Sequence, residues 1–136
     1  LIRSVDTDGR ESLETSDAQC LEMPMAVLVN ARSYSAAEFF AAALAEYEAA
    51  VVVGEKTSGK GHFQVTFPLS DGSAVGLSIG KYFTPKGICL EGVGIEPDVP
   101  VAVTDEQYSG IYYDQLTPEE DPQIQAAVTA LMEESK

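Results

Sequence analysis

Two residues of the sequence have the types and the spacing for nucleophilic catalysis, Ser35 and Lys60. Ser35 stands between an apolar run that suits a buried strand and a segment rich in strong helix formers. A serine at a helix start lies beside free backbone N–H groups, which can stabilise a developing oxyanion. Serine is also a preferred capping residue, and taken alone the position is explained more simply by a cap.

Lys60 adds a candidate base. It lies between Gly59 and Gly61, where the flexible backbone can bring an ammonium group close to other residues. A neutral lysine can take the proton of a serine hydroxyl, as it does in the Ser-Lys variants of the catalytic triad. The interval from Ser35 to Lys60 accommodates one helix and one strand, so both residues would reach the same carboxyl edge of a parallel sheet. A solvated loop lysine explains the position equally well.

Two other types of site can be weighed at the same loop. A phosphate-binding loop would require Ser or Thr after Lys60 and then a helix, whereas Gly61 and an alternating, strand-like segment follow. A phosphate loop is therefore rejected. His62 is the only histidine in the chain, so a Ser-His-Asp triad would have to use it.

The elements that must position these residues follow an α/β order. Ser35 and Glu38 have the spacing of a capping box at a helix start. Strand, helix and strand in succession predict a βαβ unit with a parallel pair, and Asp71 with Gly72 indicates a later hairpin. The predicted strands are Met25–Asn30, Ala50–Gly54, His62–Leu69, Ala74–Phe83 and a short Val99–Val103; the predicted helices are Ala36–Tyr47 and Asp121–Met132. Residues 7–22 are predicted to be a strand end followed by a loop, with a turn at Thr7–Arg10.

Composition restricts the classes of partner. The 136 residues suit one domain, and the formal net charge of −14 disfavours nucleic acid and anionic membrane surfaces. No apolar stretch is long enough to span a membrane, and a chain that starts without Met is expected to be a piece of a longer protein. Cys20 and Cys89 form no CxxC pair, so we expect no metal site; a disulfide and two separate thiols both remain open.

Several blocks of sequence stand in order between about Pro24 and Val101. They are Val27–Asn30, Ser33–Glu38, Val51–Gly61 with Gln64, Asp71–Ser73, Tyr82–Gly87 and Gly92–Asp98. Together, and not through any single motif, they resemble the carboxyl-terminal processing peptidases, the tail-specific proteases of serine peptidase family S41.

This resemblance implies a site. It places the nucleophile on Ser35, the base on Lys60 and a residue that orients the base on Gln64, with the backbone N–H of Ala36 as one oxyanion donor. It implies no metal and no organic cofactor. The implied fold is the α/β superhelix shared with ClpP and crotonase-like proteins, with a βαβ unit followed by antiparallel strands.

The resemblance also implies a domain organisation and a function. Residues 1–136 would be the C-terminal part of a catalytic domain, with the protease core in 1–104 and a tail with an amphipathic helix in 105–136. The PDZ domain, the first part of the catalytic domain and the second oxyanion donor would lie outside the chain, so the fragment alone is expected to be inactive. The expected function is an extracytoplasmic endopeptidase that cuts protein or peptide substrates near their carboxyl termini and reaches membranes only through segments absent here.

Three positions depart from the family pattern, namely Tyr34, Ala37 and His62. Tyr34 could narrow a substrate site, but packing is slightly favoured; His62 is left out of the catalytic set. One alternative is a non-catalytic ligand- or peptide-binding homologue on the same fold, and another is a crotonase-like acyl-CoA enzyme. The joint presence of Ser35, Lys60 and Gln64 argues against the binding homologue. The acyl-CoA enzyme would not need a Ser-Lys pair, and its usual oxyanion glycines are not visible in the sequence.

Overall fold

The computed structural model describes residues 2–134, which form two β-sheets and three helices. The observed order agrees with the predicted α/β class. The elements are β1 (Ile2–Asp6), β2 (Glu11–Glu14), β3 (Ala26–Val29), α1 (Ala36–Glu46), β4 (Val51–Gly54), β5 (His62–Pro68), β6 (Ala74–Phe83), β7 (Val99–Pro100), α2 (Asp105–Tyr112) and α3 (Pro122–Glu134).

The predicted βαβ unit is present as β3, α1 and β4, with the two strands parallel and β7 beside β4. Val29 and Val52 pack with Ala41 of α1, and a second cluster joins Phe39 of α1 to Leu90. Both α1 and α3 contact β3 and β4. These buried contacts fix the carboxyl end of β3, from which the Ser35 turn departs.

The second sheet is antiparallel and has the strand order β2-β1-β6-β5. The loop predicted after the turn at Thr7–Arg10 was wrong at Glu11–Glu14, because β2 pairs with β1 as an exposed edge strand. Its four residues offer no apolar face that periodicity could detect, but Arg3 of β1 donates to Glu11 at 3.0 Å. The β5–β6 hairpin has the predicted strands, and its outer half is exposed on both faces although the residues of β5 alternate in type.

The C-terminal region contains one helix more than the sequence predicts. α3 confirms the helix expected at Asp121–Met132, whereas α2 was missed. Thr104 and Gln107 form a capping box at the start of α2. The Thr-x-x-Gln spacing of this box is present in the sequence and could have predicted the helix. β7 is also shorter than expected, since only Val99 and Pro100 pair with β4. Among the described residues, no helix is long and apolar enough to cross a membrane.

Candidate active site

The turn between β3 and α1 holds Ser35 in an unusual backbone conformation. Past the end of β3, the Ser33 N–H donates to the Asn30 carbonyl at 2.9 Å, and Ser33 Oγ accepts from the Asn30 N–H at 3.0 Å. Ser35 has φ 58° and ψ −127°. Such a conformation costs a non-glycine residue about 1–3 kcal/mol and persists only where its surroundings impose it. Sharp strand-to-helix turns of this kind present a nucleophilic serine in α/β-hydrolases.

The start of α1 supplies the environment that a reacting serine needs. Ala36 is its first residue, so the Ala36 N–H has no intrahelical acceptor and follows Ser35 directly in the chain. Of the capping box predicted from Ser35 and Glu38, the bond from the Ser35 N–H to the Glu38 carboxylate is formed, and the Glu38 N–H donates to the Ser35 carbonyl. The positive end of the helix dipole therefore lies at the serine, where negative charge would develop.

Glu38 connects the serine turn to the lysine loop. Its side chain is fully buried, with 0% of its surface exposed. One carboxylate oxygen accepts from the backbone N–H groups of Ser35 and Lys60, both at 2.9 Å. The other accepts from Thr57 Oγ1 at 2.5 Å and from the Gly59 N–H at 2.7 Å. Because a buried carboxylate is tolerated only when such donors replace water, these four bonds fix both segments relative to each other.

Lys60 lies in the loop between β4 and β5. Gly59 has φ 80°, a left-handed conformation suited to glycine, and the Ser58 N–H donates to the Ser33 carbonyl at 3.0 Å, a second link to the serine turn. The half-buried Lys60 places Nζ 5.7 Å from the centre of the Tyr34 ring. Tyr34 is 58% exposed, so its ring does not pack in the described core.

Gln64 lies on β5, but its amide is directed to Ser78 Oγ at 3.5 Å. Within residues 2–134, no hydrogen bond between Gln64 and Lys60 is found. A register irregularity between Phe63 and Gln64 interrupts the β5–β6 ladder at this point, a feature that re-aims side chains near functional sites. The structure thus brings together the backbones of Ser35 and Lys60, while Gln64 remains exposed on its strand.

Glu91 fixes the other side of the lysine loop, a role that the sequence did not reveal. Its Oε2 accepts from the N–H groups of Gly61 at 2.7 Å and His62 at 3.1 Å, and it lies 2.8 Å from His62 Nδ1. A Cβ on Gly61 would come within 2.6 Å of the Glu91 nitrogen, so only glycine allows this approach. The Glu91 carboxylate therefore connects the His62 ring to the backbone of the lysine loop.

The remaining candidates for metal or disulfide chemistry can be placed as well. Cys20 is exposed, Cys89 is partly buried, and both are free thiols. The described part of the chain contains no cluster of His, Cys, Asp and Glu side chains that could hold a metal ion.

We predict that Glu38→Gln destabilises the protein and disrupts the site. The amide has one acceptor oxygen, and its NH₂ group would face two of the four donors that Glu38 now satisfies. Loss of buried bonds to a carboxylate is expected to cost about 2–4 kcal/mol in the free energy of unfolding, measured by urea denaturation. Glu48→Gln removes the same charge from an exposed residue and should shift the midpoint little. Equal midpoints for the two variants would contradict the role given to Glu38.

A second prediction concerns how the chemical shift of the Gly61 amide proton changes at acid pH. The pKa of the Glu91 carboxyl is lowered from its ordinary value of 4.5. The hydrogen bond from the His62 side chain is the largest cause, and the bond from the Gly61 N–H is the second. The folded-state pKa is depressed, so these bonds stabilise the loop above pH 4.5 and are lost as the pH falls through the lowered value. The amide proton of Gly61 should therefore shift in an NMR titration with a midpoint below 4.5.

Glu91→Gln should abolish that shift. The Ser73 N–H is a matched control, because it donates to Asp71 at 3.0 Å and bonds from Ser73 lower the pKa of that carboxyl too. Its titration should survive in the variant. If the Gly61 amide proton still shifts with pH in Glu91→Gln, a carboxyl group other than Glu91 causes the shift.

Comparison with known proteins shows the family of the chain. The sequence profile of peptidase family S41 matches residues 3–101. The chain belongs to peptidase family S41. Among curated S41 relatives, it is 43% identical over 96 residues to carboxyl-terminal-processing peptidase 2, chloroplastic, of Arabidopsis thaliana, covering 71% of this chain and 18% of that protein. It is 36% identical over 132 residues to a carboxyl-terminal-processing protease of Synechocystis, covering 96% and 30% respectively.

A solved S41 structure confirms the α/β fold. The photosystem II D1 C-terminal processing protease superposes with a TM-score of 0.68 and 35% sequence identity, over 75% of this chain and 27% of that one. The chain thus spans less than a third of the length of these relatives. Its S41 match ends before α2, so α2 and α3 lie outside the profile of the family.

Proposed function

We propose that the protein carrying this chain is a serine endopeptidase that cleaves polypeptides near their carboxyl termini by Ser-Lys catalysis. The observation that carries the proposal is the strained conformation of Ser35, at φ 58° and ψ −127°, between β3 and the first residue of α1. Strain of this kind persists at functional sites because the surrounding bonds hold it in place. Membership in family S41 supports the reaction class.

In the proposed reaction, Ser35 Oγ attacks the carbonyl carbon of the scissile bond and its proton passes to neutral Lys60 Nζ. The carbonyl oxygen becomes an oxyanion, which accepts a hydrogen bond from the Ala36 N–H. The tetrahedral intermediate collapses when the leaving amine takes the proton from Lys60, and an ester on Ser35 remains. Water, deprotonated by the same lysine, then hydrolyses this ester and restores the hydroxyl.

Gln64 is proposed to orient Lys60 during this cycle, which requires its amide to turn away from Ser78. Their present 3.5 Å contact is long for a hydrogen bond, so little is lost when it breaks. Gln64 would hold the amine without adding a negative charge that favours the ammonium form.

The parts of the site that the chain does not show are assigned to the rest of the protein. Residues 1–104 are proposed as the C-terminal portion of the protease core and 105–136 as its tail. A second oxyanion donor and a peptide-binding PDZ domain would come from elsewhere in the protein. An extracytoplasmic location is proposed from the family resemblance, and two of the matched relatives are named as chloroplastic.

The test is cleavage of an unfolded protein substrate. The whole protein should convert casein into fragments, and mass spectrometry should find new carboxyl termini concentrated near the end of the chain. A binding homologue on the same fold would retain casein without shortening it, and that result would overturn the proposal.

A further inference from the structure

A cavity of about 480 Å³ opens beside the turn that carries Ser35 and lies against α2. Its volume lies within the range of small-ligand sites in proteins. Three tyrosines form much of the wall: the rings of Tyr108 and Tyr112 stack at 6.3 Å, and Tyr113 meets Tyr112 edge-on at 5.0 Å. The lining is Arg32, Asp105, Tyr108, Ser109, Tyr112 and Tyr113. The S41 profile ends at residue 101, so most of this wall lies outside it.

Arg32 is the charged group that joins this cavity to the candidate active site. It is three residues before Ser35, and its backbone N–H donates to Asn30 Oδ1 at 2.9 Å, which fixes the turn. Its guanidinium carbon lies 4.3 Å from the centre of the Tyr108 ring. A guanidinium that stacks by its face keeps its N–H groups available in the plane, where they can bind a carboxylate in two places.

The charge of Arg32 has no carboxylate partner among the described side chains, unlike that of the other two arginines. Arg3 and Arg10 each lie within 4.0 Å of one or two carboxylates. The chain has 22 acidic and 8 basic side chains, so an arginine with no carboxylate partner among the described side chains is unexpected. Asp105 lines the same cavity but makes no ion pair with Arg32.

We propose that this cavity is a specificity subsite that binds a carboxylate group of the polypeptide substrate. The carboxylate is either the free C-terminus or an acidic side chain, and it docks on the in-plane N–H groups of Arg32. Tyr108 holds the guanidinium from one face, and the exposed rings of Tyr112 and Tyr113 pack on the adjoining substrate chain. Asp105 opposes the bound charge and limits the affinity. The role as a substrate subsite rests on the proposed function; the binding itself does not.

The experiment measures binding of dye-labelled peptides to the whole protein by fluorescence anisotropy, in a Ser35→Ala background that prevents cleavage. Three peptides share one apolar sequence: one has a free C-terminus and no acidic side chain, one is amidated and contains glutamate, and one is amidated and contains glutamine. Arg32→Gln should weaken binding of at least one carboxylate peptide about tenfold and leave the neutral peptide unchanged. The peptide affected identifies the source of the carboxylate.

Two further variants make the assignment specific. Asp105→Asn should strengthen binding of the same peptide about twofold, because it removes a like charge from the cavity. Arg3→Gln is the matched control, since Arg3 also stacks on a ring, that of Phe83 at 4.9 Å, but has a carboxylate partner; it should change nothing. Arg32→Gln that weakens all three peptides equally, or none, would overturn the subsite. Casein cleavage by the unmodified protein is read separately, so a failed protease assay with a positive binding result would refute only the proposed function.

Discussion

Ser35→Ala should lower the rate of casein cleavage by about 10⁴- to 10⁶-fold, the range seen when a hydrolase loses a member of its catalytic triad. The reason is chemical, because Ser35 is the one hydroxyl residue of the turn between β3 and α1 with the strained backbone, whereas Ser33 Oγ accepts a hydrogen bond from the Asn30 N–H. The measurement is kcat/KM of the whole protein for casein or a labelled unfolded peptide. A variant that retains more than a few per cent of the activity would remove Ser35 from the reaction.

Ser35→Gly provides a structural control for this variant. Glycine adopts φ 58° and ψ −127° without the cost that alanine incurs, and it is nearly as good as serine at a helix start. Both variants should be inactive, but Ser35→Gly should be more stable than Ser35→Ala by about 1 kcal/mol in urea denaturation. This pair separates loss of the nucleophile from damage to the fold.

Lys60→Arg should be as inactive as Lys60→Ala, although it preserves the positive charge. A guanidinium does not release its proton in a protein, so it cannot accept the proton of Ser35. The expected loss is at least about 10³-fold in kcat, with a smaller change in KM, because the step removed is proton transfer. Binding of an uncleaved peptide should therefore persist in both lysine variants.

His62→Ala is the matched control for the lysine variants. His62 is two residues from Lys60 and contacts Glu91, and the proposed chemistry does not use it. The variant should retain most of the activity. An active Lys60→Arg enzyme together with an inactive His62→Ala enzyme would move the base to the histidine.

The fold near the site was predictable because its signals are local. The apolar run before Ser35, the helix formers after it and the apolar run of β4 each carry a strong pattern, and the structure confirms the βαβ unit that they predict. β2 was missed because its pairing depends on β1 and not on any pattern of its own. α2 was missed although Thr104 and Gln107 had the spacing of a cap.

The site itself was only partly predictable for a physical reason. Sequence reasoning could name Ser35 and Lys60 from residue type and family pattern, but it treated Glu38 only as a capping partner. The four donors of Glu38 come from the Ser35 turn and from a loop about twenty residues further along the chain, so the role appears only after folding. The same holds for Glu91, whose bonds to Gly61 and His62 cross about thirty positions of sequence.

The central claim, that Ser35 is a nucleophile activated by Lys60, is tested most directly by locating a covalent acyl adduct. The whole protein is treated with an acylating β-lactone, digested, and mapped by tandem mass spectrometry. The account predicts one adduct on Ser35, none in Ser35→Ala, and strongly slowed labelling in Lys60→Ala. An adduct on a different residue that persists in Ser35→Ala, or labelling at an unchanged rate in Lys60→Ala, would contradict it.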